Sequence, residues 1–549
     1  MSKSQSKFIF VSGGVLSGLG KGLCAASIGY LLKQRGYSVS CIKCENYLNI
    51  DSGTINPIEH GDPFLCEDGL ESDMDLGTYE RFLEEEMGFK NFTTMGQIYK
   101  SVIDRERSMG YEGEDVEAIP HVVDEIIARI EKASEGYDFT VIELGGTAGE
   151  YQNALYYEAC RTMKALNHGS VINVHVSYMP VPAHLGEPKT KPTQTSVRTL
   201  MSMGIQPEFL ILRSEVDMDK RRKYLLGLKT SIPGENVIMA KDLDIIYELP
   251  LNFADQEFDK KILNHFNMDL RRSNLKAWKE LIAKIKAPKK HKKSIAIVGK
   301  YLSKNEGDYE LTDAYHALIE AIRHTCWHND VQPDIKFIPA QNIELNGTRA
   351  LSKVDAIIVP IGWGTRGVEG KIRAIKYARE NKIPYLGLCY GMQLAAVEFA
   401  RNVCGLKDAH TEEVAPDTKN KIIHQIPFDP KYQQIKGQGT SMRLGAYDCV
   451  LKKGTLIHKI YSKHKAFKKE NTISERHRHR FEFNNEYREL LESNGLVISG
   501  TSPDNFFVEM IELPKEVHPF FVATQAHPEY KSMPLKPHPM FVEFIKATI

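Results

Sequence analysis

The sequence predicts an α/β protein of two domains, each a mostly parallel sheet flanked by helices. Three observations carry this: strand-like apolar runs alternate with helix-like segments, a glycine-rich turn joins the first strand to the first helix, and the pattern restarts after a basic stretch near residue 290. In the first half the runs are FIFV at 8–11, YSVSCIK at 37–43, FTVIEL at 139–144, SVINVHV at 170–176 and FLILR at 209–213. Near-continuous apolar runs suit strands covered on both faces, as in parallel sheets. The second half repeats the rhythm with SIAIVGKY at 294–301, DAIIVP at 355–360 and YLGLC at 385–389. Between the halves, SNLKAWKELIAKIK has helical spacing, and APKKHKK at 287–293 breaks it with a proline and four lysines. The boundaries predicted are a domain at 1–270, a basic linker at 271–293 and a domain at 294–549. A lysine run can contact nucleic acid, but without interleaved aromatics a solvated linker is expected.

Composition excludes several classes of function. A chain of 549 residues is too long for one core. Lys plus Arg and Asp plus Glu balance at 71 each, so no global field attracts nucleic acid or an anionic membrane. Nine cysteines without close, even pairing read as reduced thiols in a cytoplasmic protein. MSKSQSKFIFVSGG leaves no room for a signal peptide, and no apolar run reaches the roughly 18 residues that a membrane span needs.

The run Gly13-Gly14-Val15-Leu16-Ser17-Gly18-Leu19-Gly20-Lys21-Gly22 brings backbone N–H groups, a helix N-terminus and a lysine together, as a triphosphate requires. It departs from the standard P-loop: five residues separate Gly14 from Gly20, and Gly22 stands where Ser or Thr would bind magnesium. Magnesium is therefore expected elsewhere, on Asp73 or Asp75 of ESDMDLG and on Glu143 before Gly145-Gly146. Both flank glycine turns at the edge of the sheet where open α/β sheets bind ligands. Lys43 ends a strand, and Lys189, Lys191 and Gln194 lie in GEPKTKPTQ, held open by two prolines.

These residues reach a family. SGGVLSGLGKG, KCENYLNIDSGTINPIEHGD, DLGTYERF, GGTAGE and GEPKTKPTQTSV resemble, in order and spacing, the amidoligase domain of CTP synthases. The resemblance implies ATP phosphates at Gly18, Leu19, Gly20, Lys21, Gly22 and Leu23, adenine at Lys241, Asp242 and Leu243, and Mg2+ at Asp75 and Glu143. It implies UTP at Ser17, Lys189, Thr190, Lys191, Pro192, Thr193 and Gln194, with Lys223 as a further nucleotide lysine. The uracil 4-oxo group is a poor electrophile, so ATP must phosphorylate O4 before ammonia can displace it. Lys21 and Lys43 are the catalytic lysines chosen for that charge transfer.

In the second half, Cys389 sits between the strand YLGL and the helix LAAVEFARN. Flanking glycines permit a tight turn that exposes the sulfur at a helix N-terminus. Gln525-Ala526-His527-Pro528-Glu529 supplies a base: Pro528 favours an extended His527, and residues two apart point the same way, so Glu529 can hold the imidazole. Gly-Leu-Cys-Tyr-Gly-Met-Gln with His-Pro-Glu 138 positions on resembles class I glutamine amidotransferases. By that resemblance Gly362, Tyr390, Gly391, Met392, Gln393, Glu413 and Arg480 would hold glutamine, whose carboxylate wants an arginine and whose ammonium wants an acid. The run ERHRHR containing Arg480 can also be read as a solvated basic strand or an RNA contact; alternation puts its arginines on one face and its histidines on the other.

Two departures stand out. Pro360-Ile361-Gly362 replaces the usual Pro-Gly-Gly, whose first glycine lends an N–H to the oxyanion hole, and isoleucine resists positive φ and crowds the site. Glu150-Tyr151-Gln152 replaces the segment that touches the cytosine ring of the feedback inhibitor, which predicts weakened inhibition by CTP. The resemblance further implies GTP activation near Trp363, Arg366, Gly367 and Glu369, channelled ammonia, and a homotetramer, with no nucleic-acid or membrane partner. Related synthetases that amidate cobyrinic acid would lack KTKPTQ and INPIEHG. A non-catalytic nucleotide sensor or filament subunit would not need Cys389 with its base.

Overall fold

The computed structural model describes residues 6–56, 61–167, 169–184, 186–300, 312–362, 364–427, 433–434 and 441–549, with backbone only at 312, 313, 433 and 434. Four residues of INPIEHG, Pro57 to His60, and also Trp363 lie outside the described residues. The chain forms two compact units: Met1–Thr54 with Asp75–Ala283, and Ile55–Met74 with Lys284–Ile549. The second grouping departs from a division in simple chain order, because residues 55–74 pack with the C-terminal half.

The first unit is built on seven parallel strands: β1 (Lys7–Gly14), β2 (Val39–Glu45), β3 (Phe92–Thr94), β4 (Phe139–Leu144), β5 (Val171–Tyr178), β6 (Phe209–Ser214) and β7 (Val237–Lys241). Their order is β3-β2-β4-β1-β5-β6-β7. β4 is buried at all its positions, as its unbroken apolar run requires. β2, β4 and β1 are neighbours, and Lys43 lies directly opposite Glu143 in their register. Helix α1 (Lys21–Gln34) leaves β1 through Gly18 and Gly20, both at φ 74, and has no side-chain cap. Its first N–H groups are thus left for an anion.

The expected linker is more ordered than its charge suggests. A later helix of this unit, Lys276–Lys286, drives Trp278 into the core against Tyr30, Phe82 and Tyr247, and its indole N–H donates to the Tyr247 carbonyl at 2.6 Å. Lys292 and Lys293 belong to a strand, β8 (His291–Gly299). Charge patterning registers the solvated lysine tips; strand pairing uses the backbone beneath them.

Among the described residues the second unit has a ten-stranded sheet, whose edge strand Gln433–Gln434 pairs with Ser441–Leu451. With β9 (Val331–Pro339), β10 (Ala356–Val359), β11 (Tyr385–Leu388), β12 (Ser441–Leu451), β13 (Thr472–His479), β14 (Val497–Thr501), β15 (Val508–Glu512) and β16 (Phe521–Thr524), the order is β9-β8-β10-β11-β16-β15-β14-β12, and β13 pairs with β12. Strands β9, β8, β10, β11 and β16 run parallel, and the remainder extends the sheet antiparallel. Residues 55–74 carry a short antiparallel pair, Phe64–Leu65 with Glu71–Ser72. Arg476 binds Glu67 at 3.0 Å and the Leu65 carbonyl at 2.9 Å, and Arg478 binds Glu71 at 2.5 Å. These arginines of β13 are buried, which rules out the solvated-strand and RNA readings of ERHRHR for them.

Trp278→Ala is expected to cost the first unit about 3–5 kcal/mol, since it empties an aromatic-lined site and orphans the Tyr247 carbonyl. Calorimetry should show a lowered transition; an unchanged one would mean that this helix does not support the unit.

Candidate functional sites

In the first unit a charged cluster gathers at the C-terminal ends of β1, β2 and β4. Lys43 is buried, and its Nζ meets Asp75 Oδ2 at 2.5 Å, Glu143 Oε1 at 2.8 Å and Glu45 Oε1 at 3.2 Å. Asp75 comes from helix α2 (Met74–Leu83), and the Tyr79 hydroxyl of the same helix donates to Glu143. Burial lowers the Lys21 pKa, helped by Lys43; burial raises those of Glu45 and Glu143, with the Asp75 charge adding to the rise at Glu143. Lys21 Nζ donates to the Gly146 carbonyl at 2.7 Å. Gly22, the departure from the standard motif, has a local cause: a Cβ there would lie 2.0 Å from Asp75 Oδ1. A carboxylate from another helix occupies the space that a Ser or Thr side chain would use.

The other expected nucleotide residues spread along the same edge of the sheet. Lys241 ends β7, and the neighbouring Asp242 is paired with Arg213 at 2.8 Å; Leu243 is half-buried. In GEPKTKPTQ, Lys189 pairs with Glu187, and a later helix, Lys191–Ser202, starts with Lys191 and Pro192. Thr193 and Gln194 are buried, and Gln194 Nε2 donates to Thr190 Oγ1 at 3.0 Å. Ser17 and Gly18 are exposed in the loop, whereas Leu19 is buried and Leu23 half-buried in α1. Glu150 accepts from the Thr147 N–H at 2.8 Å and from Asn46 at 3.2 Å, Gln152 lies 3.5 Å from Asn46, and Tyr151 is 94% exposed. Lys223 points back into its own unit, donating to the Val237 carbonyl at 3.0 Å.

In the second unit Cys389 holds φ 51 and ψ −101, a conformation that L-residues avoid, at the turn from β11 into a helix, Tyr390–Asn402. That turn needs the glycines around it: a Cβ on Gly391 would lie 2.0 Å from the Val359 carbonyl. Gln525 Nε2 approaches the sulfur at 3.6 Å. His527 Nδ1 meets Glu529 Oε1 at 2.7 Å, and both residues are buried. Burial disfavours the imidazolium, but Glu529 and the Cys389 sulfur outweigh it and push the His527 pKa up to about 10. By contrast, burial raises the thiols of Cys24, Cys160 and Cys326 to about 12, as inert packing groups. A thiol beside an imidazole that a carboxylate keeps charged is equipped for nucleophilic attack.

The proposed glutamine residues surround this elbow unevenly. Tyr390, Gly391 and Met392 open the helix, and Gln393 donates to the Phe481 carbonyl at 2.9 Å and to Gln525 at 3.2 Å. Glu413 accepts from the Gly364 N–H at 2.9 Å, while Arg480 is half-buried just beyond β13. Gly362 lies close to Lys300, a Cβ there standing 2.5 Å from Lys300 Cδ. Ile361 is buried and is absent from the residues with positive φ, so the backbone strain expected of it does not arise. Glu369 is paired with Arg401 at 2.9 Å, and His410, then Arg401, hold its carboxyl down at about 2 against burial.

Sequence reasoning missed Glu45, Tyr79, Gln525, Lys300 and Lys371. Gln525 stood beside the His-Pro-Glu signal; Lys371 reads as an ordinary helix-surface lysine. It also missed a buried chain from Ser12 to His175 Nδ1 at 2.9 Å and from His175 Nε2 to Ser196 at 2.6 Å, packed under Gly14. Burial, then Lys21, lowers the His175 pKa to about 3 and keeps its ring neutral.

Two family models match the chain: a CTP synthase N-terminus over residues 7–268 and a class I glutamine amidotransferase over residues 310–547. A synthase domain and a glutamine amidotransferase domain are therefore fused in one polypeptide. A CTP synthase of Caldanaerobacter subterraneus subsp. tengcongensis is 45% identical over 550 residues, covering 99% of this chain and 98% of that one. One from Methanocaldococcus jannaschii is 45% identical over 551 residues, with 99% and 98% covered. Among solved structures, the glutaminase domain of a Trypanosoma brucei CTPS with bound acivicin is 36% identical, covering 46% of this chain and 93% of that one, with a TM-score of 0.41. This chain belongs to the CTP synthase family.

His527 titrates higher in the folded chain than its ordinary value of 6.5, so the stability it contributes is complete below about pH 6.5 and is lost as pH rises through about 10. Glu529→Gln leaves burial dominant and lowers that pKa. The gap in Tm between wild type and variant is therefore expected to narrow between about pH 7 and about pH 10. A gap independent of pH would show that Glu529 does not charge the imidazole.

Proposed function

We propose that the chain aminates UTP to CTP with ATP, using ammonia released from glutamine. The observation that carries this reading is the pairing, within one member of the CTP synthase family, of the Cys389–His527–Glu529 alignment with the buried Lys21, Lys43, Asp75 and Glu143 cluster. In the glutaminase half, Cys389 attacks the amide carbon of glutamine and His527 delivers the proton that lets ammonia leave. Water then releases glutamate from the thioester. Gly362, Gln393, Glu413 and Arg480 hold the amino acid.

In the synthase half, ATP passes its γ-phosphoryl group to uracil O4 and leaves as ADP. Ammonia adds at C4, phosphate departs with the C4–O4 bond pair, and a proton is lost. Lys21 and Lys43 neutralise charge during the transfer. Among the described residues no group of three or more His, Cys, Asp or Glu is arranged to hold a metal by itself. Asp75 and Glu143 nonetheless converge on one cation, the Lys43 ammonium, and two carboxylates with phosphate oxygens and water are the usual magnesium set. They would hold Mg2+, which would offset the charge of the ATP phosphates. Ser17 and residues 189–194 hold UTP.

GTP activation is read onto Arg366, Gly367 and Glu369. Arg366 donates to the Lys300 carbonyl at 2.7 Å, and the Lys300 ammonium reaches the Gly364 carbonyl beside Glu413, so a ligand at Arg366 has a route to the glutamine site. A homotetramer is carried over from the family resemblance alone. No described helix is long and apolar enough to cross a membrane, and all nine cysteines are free thiols, which supports a cytoplasmic location.

Glutamine labelled with 15N at its amide, given with UTP, ATP, Mg2+ and GTP, is expected to yield CTP labelled at N4. Absence of CTP with both glutamine and ammonia would overturn the reading. Cys389→Ala should abolish the glutamine route and keep the ammonia route. Lys43→Met should cut CTP formation from either nitrogen source by about 100-fold or more while glutamate release continues. Equal loss of both activities in Lys43→Met would instead mark Lys43 as a folding residue.

A further inference from the structure

We propose that Lys371 is a positioning residue of the glutaminase: it grips the Pro360–Gly362 loop by its carbonyls and thereby fixes the Ile361 N–H as a donor to the oxyanion formed at Cys389. The inference rests on reading Cys389 as the glutaminase nucleophile. Lys371 lies in the helix Val368–Glu380, is fully buried, and has no carboxylate partner among the described residues. Its Nζ donates to the Pro360 carbonyl at 2.7 Å and to the Ile361 carbonyl at 3.3 Å. Burying an amine without a counter-ion is costly, and an apolar side chain of the same volume would fill the space better. What the lysine adds is its N–H groups, which it carries whether or not it is charged.

The loop stands where such a grip matters. Val359 pairs with Gly387 in the parallel register, and continuing that register by two residues brings Ile361 beside Cys389. Both belong to one buried cluster. The Ile361 N–H meets no acceptor among the described residues although the residue is buried, and a buried amide left so calls for an explanation that an oxyanion at Cys389 supplies. In a trans peptide the C=O and N–H point in opposite directions, so holding the Pro360 carbonyl on the Lys371 side turns the Ile361 N–H away from it. Gly362 admits the amine: a Cβ there would lie 3.0 Å from Lys371 Nζ. The Lys371 ammonium also lies over the Tyr390 ring at 5.4 Å, at the start of the helix that follows the nucleophile.

The test is Lys371→Met in the full chain, with Lys371→Gln, which keeps a donor, as the conservative variant. For Lys371→Met, kcat for glutamate release is expected to fall about 10- to 100-fold, with KM for glutamine within about threefold of wild type. Ammonia-supported CTP formation should be unchanged. Alkylation of Cys389 by iodoacetamide, a displacement that develops no oxyanion, should keep its wild-type rate. Lys371→Gln should recover part of the lost kcat. A wild-type chain that releases no glutamate would overturn the underlying reading and the inference with it. An active wild type with an unimpaired Lys371→Met would overturn the inference alone, as would a variant that loses alkylation and ammonia-supported synthesis together, which would mark Lys371 as a packing residue.

Discussion

Lys43 is buried at the end of β2, and an ammonium taken out of water must find compensating charge. It finds three carboxylates, Glu45 from its own strand, Glu143 from the next strand and Asp75 from α2. That convergence requires β2 and β4 to run side by side in register and α2 to cap their ends, and it requires Gly22 to have no side chain where Asp75 enters. The sheet order, the bare Gly22 of the loop and the start of α2 together are what let these charges meet. Two lysines and three acids therefore lie within electrostatic reach of one another at these strand ends.

The second unit meets a different constraint, in the backbone. Cys389 occupies a conformation that costs about 1–3 kcal/mol for a residue with a side chain, and it persists because neighbouring structure leaves no alternative. Its N–H is held by Thr524 across the sheet, and Gly387 and Gly391 allow strand and helix to close around it. His527 is held in turn: its N–H donates to the Arg476 carbonyl, and Glu529 fixes its ring. Arg476 itself is anchored by Glu67. A segment far away in sequence thus stands behind the strand on which His527 rests.

The isoleucine at 361 illustrates how a substitution reads differently in one dimension and in three. As a sequence it suggests steric conflict, because a glycine is often retained for φ values that other residues avoid. In the fold its backbone needs no such value, and its side chain joins an apolar cluster with Leu388 and Tyr315. The freedom that glycine would bring is replaced by tethering, with carbonyls 360 and 361 bound to Lys371.

Local chemistry made much of this protein legible from its residues alone. Unbroken apolar runs marked the core strands because both faces of a parallel sheet are covered, the glycine turn before Lys21 marked a strand-to-helix turn with an uncapped N-terminus, and Gly-Leu-Cys-Tyr-Gly with His-Pro-Glu marked the strained turn at Cys389 and the paired His527 and Glu529. Short or mixed strands such as Phe92–Thr94 and Val237–Lys241 escaped, since neighbouring strands rather than their own composition hold them. The tertiary structure alone decided which charges meet. Glu45, Tyr79, Gln525 and Lys371 read as ordinary residues along the chain, and ERHRHR, read for a glutamine-binding Arg480 or as a solvated basic strand, gave no sign that Arg476 and Arg478 pair with Glu67 and Glu71. Periodicity reports which way a side chain points, whereas a buried ion pair is made by elements hundreds of residues apart, as Arg476 and Glu67 are, and only folding brings them to hydrogen-bonding distance.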